Sequence, residues 1–426
     1  SLPKPRPVPP RIPLLHPKPL VVPAWESSAD DSSASIVSCP APSLDTSLGT
    51  NHRLLALSTL AQHPLNSIYG GIHPLHAQIS HATNIPRALT LCLQHAKHAH
   101  GLAWDDIDAV AYTRGPGIKG CLGVGQDAAR ALAAGLGKRL VGVHHMQAHA
   151  LTPLLTAPAA PKFPFLILLL SGGHTQLVLA EGLFKFKILL DTLDSKIGDV
   201  FEKSARLLSL PTSLPPSPPQ APGAILEHYA ALPPLPPYDT HPLPASQLIP
   251  IPLTTLRAKH TLAWSFAGML ASLQRAVHAR QPTWDEPDRR AFSNLFQTAL
   301  TTHLLTKLSQ RIALLPPETR HQLGGMVVSG GVASNAYIRS QLEQLVKDEN
   351  GLFPAGARNL YYPPRHLCTD NAAMIAHTAL IRLQAGLKSD PDDLQLRAKW
   401  SLEDMYDDVP DEAYLFKGAR EIGMGL

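Results

Sequence analysis

Two stretches of this chain are built alike, and together they limit its fold more than any other feature. Residues 165–175 read Phe-Leu-Ile-Leu-Leu-Leu-Ser-Gly-Gly-His-Thr, and residues 325–335 read Gly-Met-Val-Val-Ser-Gly-Gly-Val-Ala-Ser-Asn. Each is a short apolar run that breaks into Ser-Gly-Gly. A run of that length bounded by glycine has the pattern of a buried strand. The glycines after it permit positive φ and let the backbone approach a ligand closely. The pair therefore predicts a nucleotide held between two similar half-sites, with backbone amides turned toward its phosphates.

The rest of the chain alternates in the manner of an α/β fold. Residues 21–37 read as strand, polar turn and second strand. Strand patterns follow at 107–112, 139–143, 176–180 and 186–190. Helical spacing occupies 86–100, where Gly101 supplies a stop signal, and 125–134, 289–315, 335–346 and 371–385. Residues 211–252 are different, because fourteen of those 42 residues are proline. Such composition predicts an extended surface insertion rather than a packed element.

Composition removes some classes of function. A net charge of +4 gives no global basic field, although a local basic groove is compatible with it. The four cysteines, Cys39, Cys92, Cys121 and Cys368, form no C-x-x-C pair, which speaks against a zinc ribbon or a disulfide framework. No apolar run reaches the roughly 18 residues of a membrane span. Residues 1–25 carry Lys4, Arg6, Arg11 and Lys18 but no acid, a pattern expected of an organelle import leader.

Several polar clusters carry chemistry. In Val143-His-His-Met-Gln-Ala-His149, His145 and His149 stand at i and i+4, which places them on one face of a helix. A zinc-protease motif needs Glu at position 146, and Met stands there. With 21 histidines in the chain, chance pairing competes with metal binding. Asp370, ahead of a helix, reads either as a capping residue or as the carboxylate that completes a His-His-Asp site for iron or zinc. Glu26-Ser-Ser-Ala-Asp-Asp-Ser-Ser33 lies at a strand–turn junction, where it can orient a reacting group or remain a solvated turn. Thr113-Arg-Gly-Pro-Gly117 precedes a helix and reads as an anion-binding turn or a plain one. Residues 194–203 place Asp199 and Glu202 at a helix start, suited to a ribose hydroxyl or to a surface salt-bridge face.

Six motifs in order resemble the tRNA N6-threonylcarbamoyladenosine transferase family over about residues 20–400. They are Glu26-Ser-Ser-Ala-Asp-Asp-Ser, Tyr112-Thr-Arg-Gly-Pro-Gly, His144-His-Met-Gln-Ala-His, Ser171-Gly-Gly-His-Thr, Ser329-Gly-Gly-Val-Ala-Ser-Asn and Cys368-Thr-Asp-Asn-Ala-Ala-Met-Ile-Ala. The basic leader is most similar to the mitochondrial branch, and the proline insertion resembles fungal members.

The resemblance implies an α/β, two-lobed actin/Hsp70-like ATPase fold with ribonuclease-H-like lobes, and would explain the repeated Ser-Gly-Gly units. Its expected division is a leader at 1–22, a first lobe at 23–150, a second lobe at 151–370 and a C-terminal helix with an acidic tail at 371–426, returning to the lobe interface. It implies that His145, His149 and Asp370 hold one divalent metal ion, zinc or iron. Asp30 would lie beside the reacting group. Ser171, Gly172, Gly173, His174, Thr175, Glu202, Gly223, Gly330, Gly331 and Asn335 would line the nucleotide.

The implied reaction moves threonylcarbamoyl from threonylcarbamoyl-AMP, made by a separate synthase, to N6 of adenosine 37 in the anticodon stem–loop of ANN-decoding tRNAs. A homodimer in the mitochondrial matrix, without membrane attachment, is implied as well. The chain departs from the family where Ala29 replaces Cys, Glu202 replaces Asp, Leu270 replaces Lys, and Ala221-Pro-Gly-Ala224 replaces Pro-Gly-Gly-Pro. The competing readings are a metalloprotease, which Met146 disfavours, and a non-catalytic ATP-binding scaffold, which Leu270 and Glu202 favour.

Overall fold

Two five-stranded sheets organise the chain, and both have the same strand order. The computed structural model describes residues 18–29, 31–40, 51–62, 69, 71–156, 161–211, 220–238, 262–280, 283–347, 352–354 and 357–414. In the first sheet β1 (Leu20–Glu26), β2 (Ser32–Cys39) and β3 (Arg53–Leu60) form an antiparallel meander. On the other side of β1, the strands β4 (Ala109–Gly115) and β5 (Arg139–His144) run parallel. The second sheet repeats this plan. Its meander is β6 (Phe165–Leu170), β7 (Thr175–Gly182) and β8 (Lys185–Leu190), and β9 (Met326–Ser329) and β10 (Leu360–Tyr361) add parallel strands beside β6. Counted within each lobe, both orders are 3-2-1-4-5. This duplication is the two-lobed ribonuclease-H-like architecture.

The helices fill the layers around the sheets. Helix α1 (Pro74–His100) covers β2 and β3, and α2 (Lys119–Leu136) packs beside it on β4 and β5. Between the sheets lie α3 (His145–Thr156) and α9 (Ala372–Gln384). All of α9 is buried, as suits its mostly apolar run Ala-Ala-Met-Ile-Ala-His-Thr-Ala-Leu-Ile, since a helix with apolar residues on every side is enclosed. The far face of the second sheet carries α4 (Ile197–Leu207), α5 (Pro222–Ala231), α6 (Ala267–Arg280), α7 (Glu286–Ala313) and α8 (Ala336–Lys347). Residues 387–414 return along the first lobe and bury Leu394, Trp400, Leu402 and Tyr406 in the central core.

Several expectations need correction. The two Ser-Gly-Gly turns, read as two similar half-sites, stand side by side in one sheet. Both belong to the second sheet, at the carboxyl ends of the adjacent parallel strands β6 and β9, where Leu169 pairs with Ser329. The counterpart of the Ser171 turn is the turn after Glu26, and that of the Ser329 turn follows β4. Strand β1 begins at Leu20, inside the segment expected as leader.

Helix α1 begins at Pro74, not at residue 86, and runs through Pro86. Its buried stripe of Ala77, His81, Ile85, Ala88, Cys92 and Ala96 outweighs one missing amide. The proline-rich stretch is not wholly unpacked either. Pro222 opens α5, a position that tolerates proline, and Ile225, Leu226 and Ala230 are buried against α4 and α7. Residues 1–17, 212–219, 239–261 and 415–426 lie outside the described residues, and so does Asp30.

Candidate metal and nucleotide site

Strand β5 ends at His144 and α3 starts at His145 with no linker. His145 is therefore delivered at a strand's carboxyl end, and His149 follows one turn later on the same face. Their rings meet edge-on, with centroids 4.7 Å apart. Asp370, just ahead of α9, faces both. Its Oδ1 lies 3.0 Å from His149 Nε2 and 3.5 Å from His145 Nε2. Among the described residues, these three side chains are the one cluster arranged to share an ion, with donor atoms within 4.8 Å of one another.

The opposite ring nitrogens are held from behind. His145 Nδ1 lies 2.9 Å from Glu26 Oε2 and 3.4 Å from Ser28 Oγ. Glu26 in turn accepts from Thr113 Oγ1 at 2.6 Å and from the Ser28 amide at 2.5 Å. His149 Nδ1 lies 3.4 Å from Ser329 Oγ. A carboxylate or hydroxyl behind each imidazole, with both Nε2 atoms converging, is how metal-binding histidines are oriented. Two imidazole nitrogens and one carboxylate suit zinc or iron and leave positions for substrate oxygens.

Charge follows the same geometry. Burial alone would keep His145 neutral, but the Glu26 and Asp370 carboxylates outweigh it and raise His145 to about 10. Burial opposes ionising Asp370 and Glu26 as well, yet His145 holds both below their usual range. Desolvation and the neighbouring His145 and His149 push His174 down to about 3, so it stays a neutral ring beside the cluster. Its centroid lies 6.4 Å from that of His145.

The glycine turns flank this cluster. Ser171 Oγ accepts from the amides of Gly173 and His174, which closes the first turn. Gly172 and Gly173 are exposed, with open space where a Cβ would stand. Gly198, in the first turn of α4, packs against the same turn so closely that a Cβ would meet Gly172 N at 2.6 Å. In the second turn Gly330 has φ +100°, and a Cβ there would meet Leu170 O at 2.4 Å. Gly331 lies beside Thr369, which connects this turn to Asp370.

Other residues expected at the ligand have different placements. Thr175 is fully buried, and its Oγ1 accepts from the Ile197 amide, so it anchors α4 rather than lining a cleft. Asn335 Oδ1 accepts from the Ile338 amide and caps α8, while Nδ2 donates to Gln297. Glu202, on α4, is half-buried and pairs with Arg206 at 3.3 Å. Gly223 stands at the start of α5, 3.5 Å from Phe201 when given a Cβ, so Glu202 and Gly223 mark neighbouring helices. Leu270, where the resemblance led to Lys, packs at the edge of the second lobe's core.

Sequence reasoning missed Glu26 and Thr113 as members of this site. The available signal was a carboxylate closing an otherwise apolar strand, since a fully buried carboxylate needs partners. The turn at residues 113–117 is not open to anions. Gly115 has φ +150° and a Cβ there would strike Arg397 O, while Gly117 is closed off by Ser28. The turn grips the C-terminal segment through Arg397 N to Arg114 O at 3.2 Å and Gly117 N to Ala398 O at 3.1 Å. His81, in the unforeseen first half of α1, contacts Ser32 Oγ at 2.8 Å and Ala29 O at 3.0 Å, and so ties the end of the first β-strand loop to the start of β2.

Comparison with known proteins agrees with this arrangement. The profile described as tRNA N6-adenosine threonylcarbamoyltransferase matches residues 53–377. A protein of that name from Methylibium petroleiphilum is 35% identical over 367 residues, covering 86% of this chain and 92% of its own. One from Polaromonas sp. is 36% identical over 85% of this chain and 92% of its own. One from Bordetella petrii is 34% identical over 92% of this chain and all of its own.

Proposed function

The chain belongs to the tRNA N6-adenosine threonylcarbamoyltransferase family, and on that premise we propose that it transfers threonylcarbamoyl from threonylcarbamoyl-AMP to N6 of adenosine 37 in ANN-decoding tRNAs. Its relatives are transferases by name, and the fold is the two-lobed, actin-like one. The observation that carries the finer reading is the convergence of His145 Nε2, His149 Nε2 and Asp370 Oδ1 beside two glycine turns. His145, His149 and Asp370 would hold one zinc or iron ion, whose chemistry when bound is to polarise acyl and phosphate oxygens.

The remaining work falls to the chain's own groups. The exposed backbone of Gly172 and Gly173 and the Ser329 turn cradle the adenylate, and Glu202 with Gly223 faces its nucleoside. In the reaction the N6 nitrogen bonds to the carbamoyl carbon, the bond to the AMP phosphate oxygen breaks, and one N6 proton leaves. Asp30 is the proposed acceptor or orienting group for that proton. Glu26 is unsuited to that role, because Thr113, Ser28 and His145 already engage it. An anticodon loop presents its bases unpaired, so the target base can be splayed into the cleft.

We propose in addition that the protein works as a homodimer in the mitochondrial matrix. Support for dimerisation is the exposed apolar face of Ile72, Leu75 and Ile79 at the start of α1. Support for the location is the basic, acid-free N-terminal sequence. Among the described residues no helix is long and apolar enough to cross a membrane. The deciding assay supplies unmodified anticodon stem–loop, threonine, bicarbonate, ATP and a threonylcarbamoyl-AMP synthase. Formation of threonylcarbamoyladenosine supports the proposal, and its absence with metal-loaded protein would overturn it. Nucleoside analysis of mitochondrial and cytosolic tRNA from cells lacking the protein tests its location.

A further inference from the structure

The imidazole of His144 is fully buried and takes no part in the cluster next to it. Its Nδ1 accepts from the amides of Met146 and Gln147, at 3.2 and 3.3 Å. Those are first-turn amides of α3, which have no carbonyl partner inside the helix. His144 thus fills the N-cap position that Ser, Thr, Asp or Asn usually takes. Because Nδ1 accepts, the ring hydrogen must sit on Nε2.

Residues 400–406 hold this cap in place. The Trp400 ring lies against His144 with centroids 4.4 Å apart. Tyr406 Oη accepts from the His144 amide at 3.2 Å and donates to Gln147 Oε1 at 2.7 Å. Tyr406 has φ +51°, a conformation that a bulky residue keeps only where its surroundings impose it. The surroundings here are the Arg382 guanidinium, 3.8 Å from the Tyr406 ring, and Arg114 and Arg397, 4.8 and 5.0 Å from the Trp400 ring.

We infer that His144, clamped by Trp400 and Tyr406, is a positioning residue that sets the start and register of the helix bearing His145 and His149. His145 is the first residue of that helix, so it is the first ligand lost when the initial turn frays. A slip of one residue would rotate both ligands by about 100° away from Asp370. The C-terminal segment thereby reaches the metal cluster without touching it. This rests on the metal reading above.

The test is metal affinity of the full-length protein, measured by competition with a chromophoric chelator, first for zinc and then for ferrous iron. Thermal unfolding of the same samples reports stability separately. His144→Ala is expected to weaken binding by about 10- to 100-fold, the usual effect of losing an orienting partner. His144→Asn, whose Oδ1 can accept the same amides, is expected to stay within about threefold of the parent. Tyr406→Phe should weaken binding by about three- to tenfold through loss of its hydroxyl contacts.

A folded His144→Ala protein that binds metal like the parent overturns the inference, as does a His144→Asn protein as weak as His144→Ala. If His144→Ala does not fold, a Tyr406→Phe protein with parental affinity is sufficient to reject it. A parent that binds neither metal removes the metal reading and this inference together, whereas a binding parent with an unaffected His144→Ala removes only the inference.

Discussion

The two lobes share one strand order and differ in what stands at the strand ends. In the first lobe the loops after β1 and β4 are engaged within the protein. Glu26 and Thr113 support His145, and Arg114 holds the Gln395 carbonyl at 2.7 Å. In the second lobe the loops after β6 and β9 are glycine turns, and Gly172 and Gly173 face open space. One topology thus serves two purposes. The first lobe orients side chains, and the second leaves glycine backbone exposed. The His145, His149 and Asp370 cluster joins them, with His145 at the end of a first-lobe strand, His149 beside Ser329 of the second lobe, and Asp370 on the crossing back.

Removing that junction should have the largest effect. Asp370→Ala is expected to reduce threonylcarbamoyladenosine formation by on the order of 1,000-fold, in keeping with the several kcal/mol that a positioned metal contributes. The assay is the stem–loop reaction above, with metal content measured on the same protein. Near-parental turnover would remove Asp370 from the catalytic site.

The glycines test the second lobe's division of labour. Gly330→Ala places a Cβ 2.4 Å from Leu170 O at φ +100°. It should destabilise the protein by roughly 2–4 kcal/mol through backbone strain and overpacking. Gly172→Ala meets nothing within 4 Å, so its unfolding free energy should change by less than about 0.5 kcal/mol while AMP binding weakens. Urea unfolding and AMP titration separate the two effects. If both variants unfold alike, the contrast between a packed and an open glycine turn is wrong.

The sequence made parts of this arrangement readable and hid others for physical reasons. Phe165–Leu170 was legible because an uninterrupted apolar run has few places to go, and Ala372–Gln384 because a mostly apolar stretch of helical length follows a polar turn. The gathering of His145, His149 and Asp370 was legible through spacing and family resemblance. That the two glycine turns end adjacent strands was not legible, because repetition in sequence does not reveal strand order. Glu26 was missed because its partner lies 119 residues away. The start of α1 was missed because Pro86 reads as a helix start in one dimension, although the packing of a long stripe against the sheet decides the matter in three.

The first lobe's orienting role can be weakened without removing any ligand. Glu26→Gln keeps the shape but removes the charge facing His145 Nδ1. It should lower metal affinity by about 10- to 100-fold with the fold retained. Thr113→Val, one step further out, should have a smaller effect in the same direction. Chelator competition measures both. An unaffected Thr113→Val protein would mean that Glu26 is held by something other than Thr113.

The smallest expected effect concerns how the first sheet is joined to the central helices. His52, at the entry to β3, lies 2.8 Å from His377 of α9 through their Nδ1 atoms, and its Nε2 lies 3.1 Å from Gln384 Oε1. One Nδ1 must accept from the other, so the pair needs at least one neutral ring. Burial pushes His52 down to about 4 and His377 well below its usual value. A folded-state value below the unfolded one means the unfolded chain takes up protons first. The contribution is therefore complete above about pH 6.5 and is lost as pH falls toward 4. Between pH 7 and 5 the His52 part amounts to roughly 1–2 kcal/mol. His52→Gln offers an acceptor and a donor but no titration, so its unfolding free energy should fall less over that range. Identical pH slopes for parent and variant would show that His52 is not the residue that makes this joint acid-sensitive, and the softening would then have to be sought in the second lobe, where burial likewise lowers His303 to about 4.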